Sequence, residues 1–112
     1  MKTYDFKGTQ LFFAKSRYTY NGALAVQCIC EEDGLPEPWS SATVCLGEEP
    51  QSPYHAFIDV NNNGADFLGW LEGIGAGKRT GKLERSGFVV FPYFEFDKAF
   101  IDDLPLREQI GV

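Results

Sequence analysis

The chain has 112 residues, 44% of them hydrophobic, 15% aromatic and 23% charged, with a formal net charge of −6. That length suits one domain and is too short for two, and the composition lies well away from that of disordered sequences. The acidic excess argues against direct nucleic-acid binding, and for a positively charged partner or for solubility alone.

The opening MKTYDFKGTQ has no basic segment followed by an apolar one, and no apolar run approaches the roughly 18 residues that a membrane span needs. Three cysteines, Cys28, Cys30 and Cys45, are an odd number. A reducing, cytoplasmic compartment is therefore expected, with no membrane contact.

In chain order, Thr3 to Phe6 and Leu11 to Arg17 read as strands joined across Lys7-Gly8. Asn21-Gly22 is the strongest short hairpin signal, since both residues tolerate positive φ, so a third strand starts near Ala23. Over Leu24 to Glu31, alternation puts Leu24, Val26, Cys28 and Cys30 on one face, toward the core. Pro36 and Pro38 argue against a regular ladder before Trp39. A fourth strand is expected at Ser41 to Leu46, followed by a loop over Gly47 to Tyr54.

His55 to Gly75 joins a clear strand to a clear helix. His55 to Val60 is the strand, Asn61 to Gly64 a turn, and Ala65 to Ile74 a helix burying Phe67, Leu68, Trp70, Leu71 and Ile74. Gly73, Gly75 and Gly77 offer C-cap positions. Arg79 to Ser86 reads as exposed, and Phe88 to Phe96 as another strand in which Pro92 marks an edge, bulge or bend. Residues 98–112 read as a mostly irregular tail with at most one short helical turn. The expected fold class is α+β: a single domain over residues 1–112, with a mainly antiparallel sheet of five to six strands and one principal helix packed on one face.

Two motifs invite a chemistry and fail to complete it. Asp59-Val60-Asn61-Asn62-Asn63-Gly64 begins like a calcium loop, but the twelfth position is Trp70 where a bidentate Glu is required. Capping of the helix by Asn62 or Asn63, with Asp66 near its positive end, is the expected reading. Gly73 to Arg79 lacks the residues of a phosphate loop and follows a helix instead of opening one. A solvated basic loop from Lys78 to Arg85 is preferred there, although loose anion binding stays open.

His55 is the only histidine, and no local hydrolase signature accompanies it or the cysteines. Zinc-site spacing is also missing. No catalytic residue, metal or cofactor is expected. The competing reading is a small hydrolase or ligand-binding enzyme centred on Asp59, Asn61 and His55.

Charge is distributed unevenly. No Lys or Arg occurs between Tyr18 and Gly77, while Glu31, Glu32, Asp33, Glu37, Glu48, Glu49, Asp59, Asp66 and Glu72 all fall there. Glu31, Glu32, Asp33, Glu37, Glu48 and Glu49 lie in turns, where carboxylates stay solvated and can meet Lys or Arg on a partner. With Trp39, they are the expected partner-binding residues.

The series Asn21 to Val26, Glu32-Asp33-Gly34, Thr43 to Leu46, Ala56 to Asn62, Thr80-Gly81 and Ser86-Gly87-Phe88 with Pro92 resembles an uncharacterised family of small acidic proteins. That family is a domain of unknown function encoded on plasmids, conjugative elements and phages of gut bacteria. The resemblance spans about residues 20 to 97 and departs at Pro36 to Trp39 and in the longer tail. It implies a mobile-element context, in which small acidic accessory proteins blunt host defence by imitating DNA or occluding a nuclease.

The expected function is thus non-enzymatic binding of a protein with a basic surface, such as a CRISPR effector or restriction enzyme. A structural accessory of a conjugative transfer apparatus is a third reading.

Overall fold

The computed structural model describes residues 2–47 and 49–112. Eight strands and four short helices occur among them: β1 Tyr4–Phe6, β2 Thr9–Arg17, β3 Leu24–Glu32, β4 Leu35–Ser41, β5 Thr43–Val44, β6 His55–Ile58, α1 Val60–Asn63, α2 Phe67–Gly73, β7 Gly77–Ser86, β8 Val89–Phe96, α3 Lys98–Asp102 and α4 Arg107–Ile110. The fold is mixed, and its named strands pair antiparallel. One sheet of five to six strands under one principal helix is not what forms. Two four-stranded sheets do, in the orders β1-β2-β3-β4 and β5-β6-β8-β7.

The split occurs at Ala42, where the expected strand Ser41 to Leu46 breaks. Ala42 is fully buried; its N–H donates to the Val26 carbonyl at 2.9 Å and its carbonyl accepts from Asp59 N at 3.0 Å. The chain thereby leaves the first sheet and enters the second within one residue. Thr43 secures the junction, because its Oγ1 accepts from Val26 N at 3.1 Å and lies 2.7 Å from the Tyr18 hydroxyl.

One buried cluster joins the two sheets. Phe6, Leu11 and Phe13, with Leu24, Val26 and Cys28, meet Ala56, Ile58, Phe94 and Phe96 from the other side, while Phe67, Leu68 and Leu71 of α2 and Ile101 of α3 close it. Each such aromatic or aliphatic side chain contributes about 1.5–3 kcal/mol on burial. The alternation in β3 holds: Cys28 is buried and Cys30 half-buried on the core side. The opposite face of the first sheet is also covered, since Phe12, Ala14 and Ile29 pack against Ile110 and Val112. Residues 98–112 therefore hold two short helices, α3 and α4, and cover apolar surface that alternation alone leaves bare.

Pro36 and Pro38 do not end the ladder. They pair opposite Glu31 and Ile29 on the outer strand β4, two residues apart, so their missing N–H groups both belong to the open edge. A register shift opposite Cys28 and Ile29 then leaves Trp39 as the extra residue. The Asn21-Gly22 hairpin is wider than a two-residue turn: Tyr18 N donates to the Ala23 carbonyl, and the Asn21 side chain accepts from Ala23 N.

Asn61 to Asn63 form the helical turn α1 instead of a loop, and the next helix begins at Phe67, not Ala65. Arg79 to Ser86 belong to β7, a strand whose alternation is hidden because nearly all of it is exposed. Its first residue, Gly77, is required, because a Cβ there would strike the Glu95 carbonyl.

Candidate functional site

The β3–β4 hairpin gathers four of the sequence-derived partner residues. Asp33 and Gly34 both take positive φ, 52° and 79°, giving the tight two-residue turn that keeps the strands in register. Glu32 pairs with Leu35, Glu31 with Pro36 and Cys30 with Glu37. Residues opposed across the ladder share a face, so Glu32, Leu35 and Glu37 lie on one side, Glu31 on the other, and Asp33 at the tip.

All four carboxylates are exposed. Among the described residues none is paired with a cation. Lys7, on the neighbouring β1–β2 turn, is engaged by Asp66 at 3.2 Å. The sequence reading missed Leu35, which is 65% exposed; the signal was an apolar residue directly after the turn, where nothing covers it.

The other described carboxylates of the acidic stretch do not join this hairpin. Glu49 lines a shallow groove with Asn21, Gly22 and Ala23, at the opposite end of β3. The nine residues of β3 at about 3.3 Å each put it roughly 26 Å from the tip, well beyond the ~10 Å screening length at 0.1 M salt. Glu48 lies outside the described residues. Asp59, Asp66 and Glu72 are spent internally, on the α1 cap, on Lys7 and on Arg79. Trp39 is half-buried and packs edge-on to Phe6, with centroids 5.6 Å apart. It is a core contact more than a partner contact.

Asp59, Asn61 and His55 do not converge. Asp59 Oδ1 accepts from Asn62 N at 3.1 Å, so Asp59, and neither Asn62 nor Asn63, is the capping residue; Asp66 makes no side-chain cap to α2. Asn61 is exposed. His55 instead joins Tyr93 and Glu95: its Nδ1 is 2.9 Å from the Tyr93 hydroxyl and its Nε2 3.5 Å from Glu95 Oε1. Among the described residues no three His, Cys, Asp or Glu gather as a metal site.

The Cys28 thiol is pushed up to about 12 by burial, which keeps it protonated at neutral pH. The basic stretch from Lys78 to Arg85 lies along β7, and its first two cations are paired. Lys78 meets Glu95 at 3.4 Å, and Arg79 donates from Nε and a terminal nitrogen to Glu72.

A cavity also lies elsewhere. A cleft of about 620 Å³ opens between the end of β2 and the segment running from α3 to Val112. Its lining mixes the apolar Leu24, Ile101 and Leu106 with charges of both signs, among them Arg17, Arg107 and Glu108.

No helix among the described residues is long and apolar enough to cross a membrane. No curated protein and no solved structure matches the chain. Residues 13–108 match a family model described as a domain of unknown function, DUF4313, a span that takes in Pro36 to Trp39 and most of the tail. The chain therefore belongs to the DUF4313 family.

Proposed function

We propose that the chain is a non-enzymatic protein-binding module that offers the β3–β4 hairpin to a basic surface. The observation that supports this reading is the contrast among its carboxylates. Asp59, Asp66 and Glu72 all have internal partners, whereas Glu31, Glu32, Asp33 and Glu37 project from a two-stranded tip beside the exposed Leu35, with no cation partner among the described residues. A negative rim around one apolar residue is the complement of a Lys- and Arg-lined groove, and it speeds encounter with such a groove.

The basic surface is that of a nucleic-acid-handling defence complex of the host, a CRISPR effector or a restriction enzyme, with the chain encoded on a mobile element. The hairpin then occupies the channel in which phosphates would lie. Affinity capture from the host lysate with wild-type chain and with Glu32→Lys/Asp33→Lys tests this. A nuclease complex retained by the wild type, lost from the variant and released by DNA is the expected result. Equal capture by both, or capture of a transfer apparatus instead, would overturn it.

A further inference from the structure

We infer that the tip of the β7–β8 hairpin is a docking surface for a second copy of this chain, and that its occupant is the acidic β3–β4 tip of that copy. Strand β7 is the outer strand of the second sheet, and the chain turns back into β8 at Gly87-Phe88, where Ser86 pairs with Val89. Phe88, at the turn, is fully exposed, and Leu83 is 62% exposed. Leu83 pairs with Pro92 and Arg85 with Val90, so Leu83, Arg85 and the half-buried Val90 share one face, while Glu84, paired with Phe91, lies on the other. A single exposed apolar side chain is ordinary on a surface. A bare Phe beside an exposed Leu and an Arg has the composition of an interface.

The cations of β7 are not alike. Lys78 and Arg79 are held by Glu95 and Glu72, and Lys82 Nζ lies 5.1 Å from the centre of the Tyr93 ring. Arg85 is exposed and pairs with no carboxylate among the described residues. Its planar fork fits a carboxylate bidentately. The register shift between Arg79 and Leu83, with Gly81 at φ 92°, interrupts the outer edge of β7 and disfavours addition of another strand there. Contact at this tip is therefore made by side chains.

The β3–β4 tip carries the matching set. Glu32, Leu35 and Glu37 share a face, Leu35 is exposed, and neither carboxylate meets a cation among the described residues. Leu35 of one copy against Phe88 and Leu83 of the next removes apolar surface from water on both, and brings Arg85 to Glu32 or Glu37. The two tips are different parts of one chain, so the contact is heterologous: each copy offers β7–β8 to one neighbour and β3–β4 to another. The net charge of −6 on each copy opposes approach and keeps the contact weak. The inference rests on the acidic tip being open, as in the proposed function, and makes self-association a competitor of the basic partner for the same carboxylates.

Sedimentation equilibrium of the full chain at up to about 1 mM tests this, in ~0.15 M salt, where screening over ~8 Å mutes the mutual repulsion and spares pairs in contact. The average mass should rise with concentration above that of one chain. Arg85→Gln/Phe88→Ser lacks one half of the contact and Glu32→Gln/Asp33→Asn the other, so each alone should stay monomeric over the same range. Mixed in equal amounts, the two variants should form a one-to-one complex and nothing larger, because only one contact remains possible. A thermal melt of each variant checks that the fold is kept.

Wild-type chain that stays monomeric throughout, variants that assemble as the wild type does, or a mixture that remains monomeric would overturn the contact. None of these results alters the capture of a basic partner, and a failed capture would leave the complex of the two variants in place, so the failure of either contact is read independently.

Discussion

The Asp59 carboxylate holds Asn62 twice, accepting from its main-chain nitrogen at 3.1 Å through Oδ1 and from its side-chain amide at 2.8 Å through Oδ2. The acceptor that a calcium loop would turn toward a cation is here turned toward its own chain. Asp59→Ala should therefore cost about 0.5–2 kcal/mol, the range for losing an N-cap. Urea unfolding checks this, and added calcium should leave the midpoint of the wild-type chain unmoved.

Asn63 should matter more than Asn61. Its amide donates to the Ser41 and Asp59 carbonyls at 2.8 and 2.9 Å and its oxygen accepts from Ser40 at 2.6 Å, stitching the end of β4 to the turn after β6. Three identical residues in a row, Asn61 to Asn63, gave no hint of which one is structural. That depends on which of them faces the first sheet.

The sequence was legible where burial imposes a period and illegible where it does not. Alternation found β3 and put Cys28 inside, and apolar runs found β2, β6 and β8. It did not find β7, because an exposed outer strand such as Lys78 to Arg85 carries no apolar stripe to read. It under-read β4, because a strand-forbidding Pro is permitted on an open edge. The two-sheet arrangement turns on Ala42, a small residue whose hydrogen bonds to both sheets are a tertiary fact.

The same limit applies to the site. The acidic hairpin Glu31 to Glu37 was visible as charge beside turn residues. That Glu49 lies at the far end of β3, and that Asp66 and Glu72 find Lys7 and Arg79, depends on how the elements pack.

Tyr93 anchors the loop that precedes β6. Its hydroxyl accepts from Gln51 N at 2.9 Å and lies 2.9 Å from His55 Nδ1, whose Nε2 is 3.5 Å from Glu95. Tyr93→Phe should cost about 1–3 kcal/mol by leaving these partners unmet. Hydrogen exchange at the Gln51 amide should accelerate in that variant beyond the change at Ile29 in the other sheet.

Cys28 should resist alkylation in the folded chain and react only on unfolding. Burial raises its thiol from 9.0 to about 12, so the protonated form is the one the fold favours. The stability tied to it is fully present below the unfolded value of 9.0 and is lost as pH rises toward 12. Cys28→Ala should flatten the alkaline limb of the stability profile, which urea titrations across pH 8–11 would show.

Glu72 supplies the opposite slope. Hydrogen bonds from Arg79 hold its carboxyl below the ordinary value of 4.5. A depressed carboxylate contributes stability above its unfolded value and loses it as pH falls through the lower folded value. Because the Arg79 side chain is 53% exposed, the effect should be modest and should shrink in salt. Glu72→Gln should remove it, so the wild type and the variant should converge in stability at strongly acidic pH.

The hairpin reading is tested most directly by the association rate with the captured defence complex as a function of salt. The wild-type rate should fall steeply as ionic strength rises, since screening shortens to ~10 Å at 0.1 M. Glu32→Lys/Asp33→Lys should associate at least about tenfold more slowly at low salt, as electrostatic steering predicts, with the cooperative thermal transition retained. Rates for the variant equal to wild type at low salt, or a wild-type rate indifferent to salt, would contradict a binding role for this acidic tip.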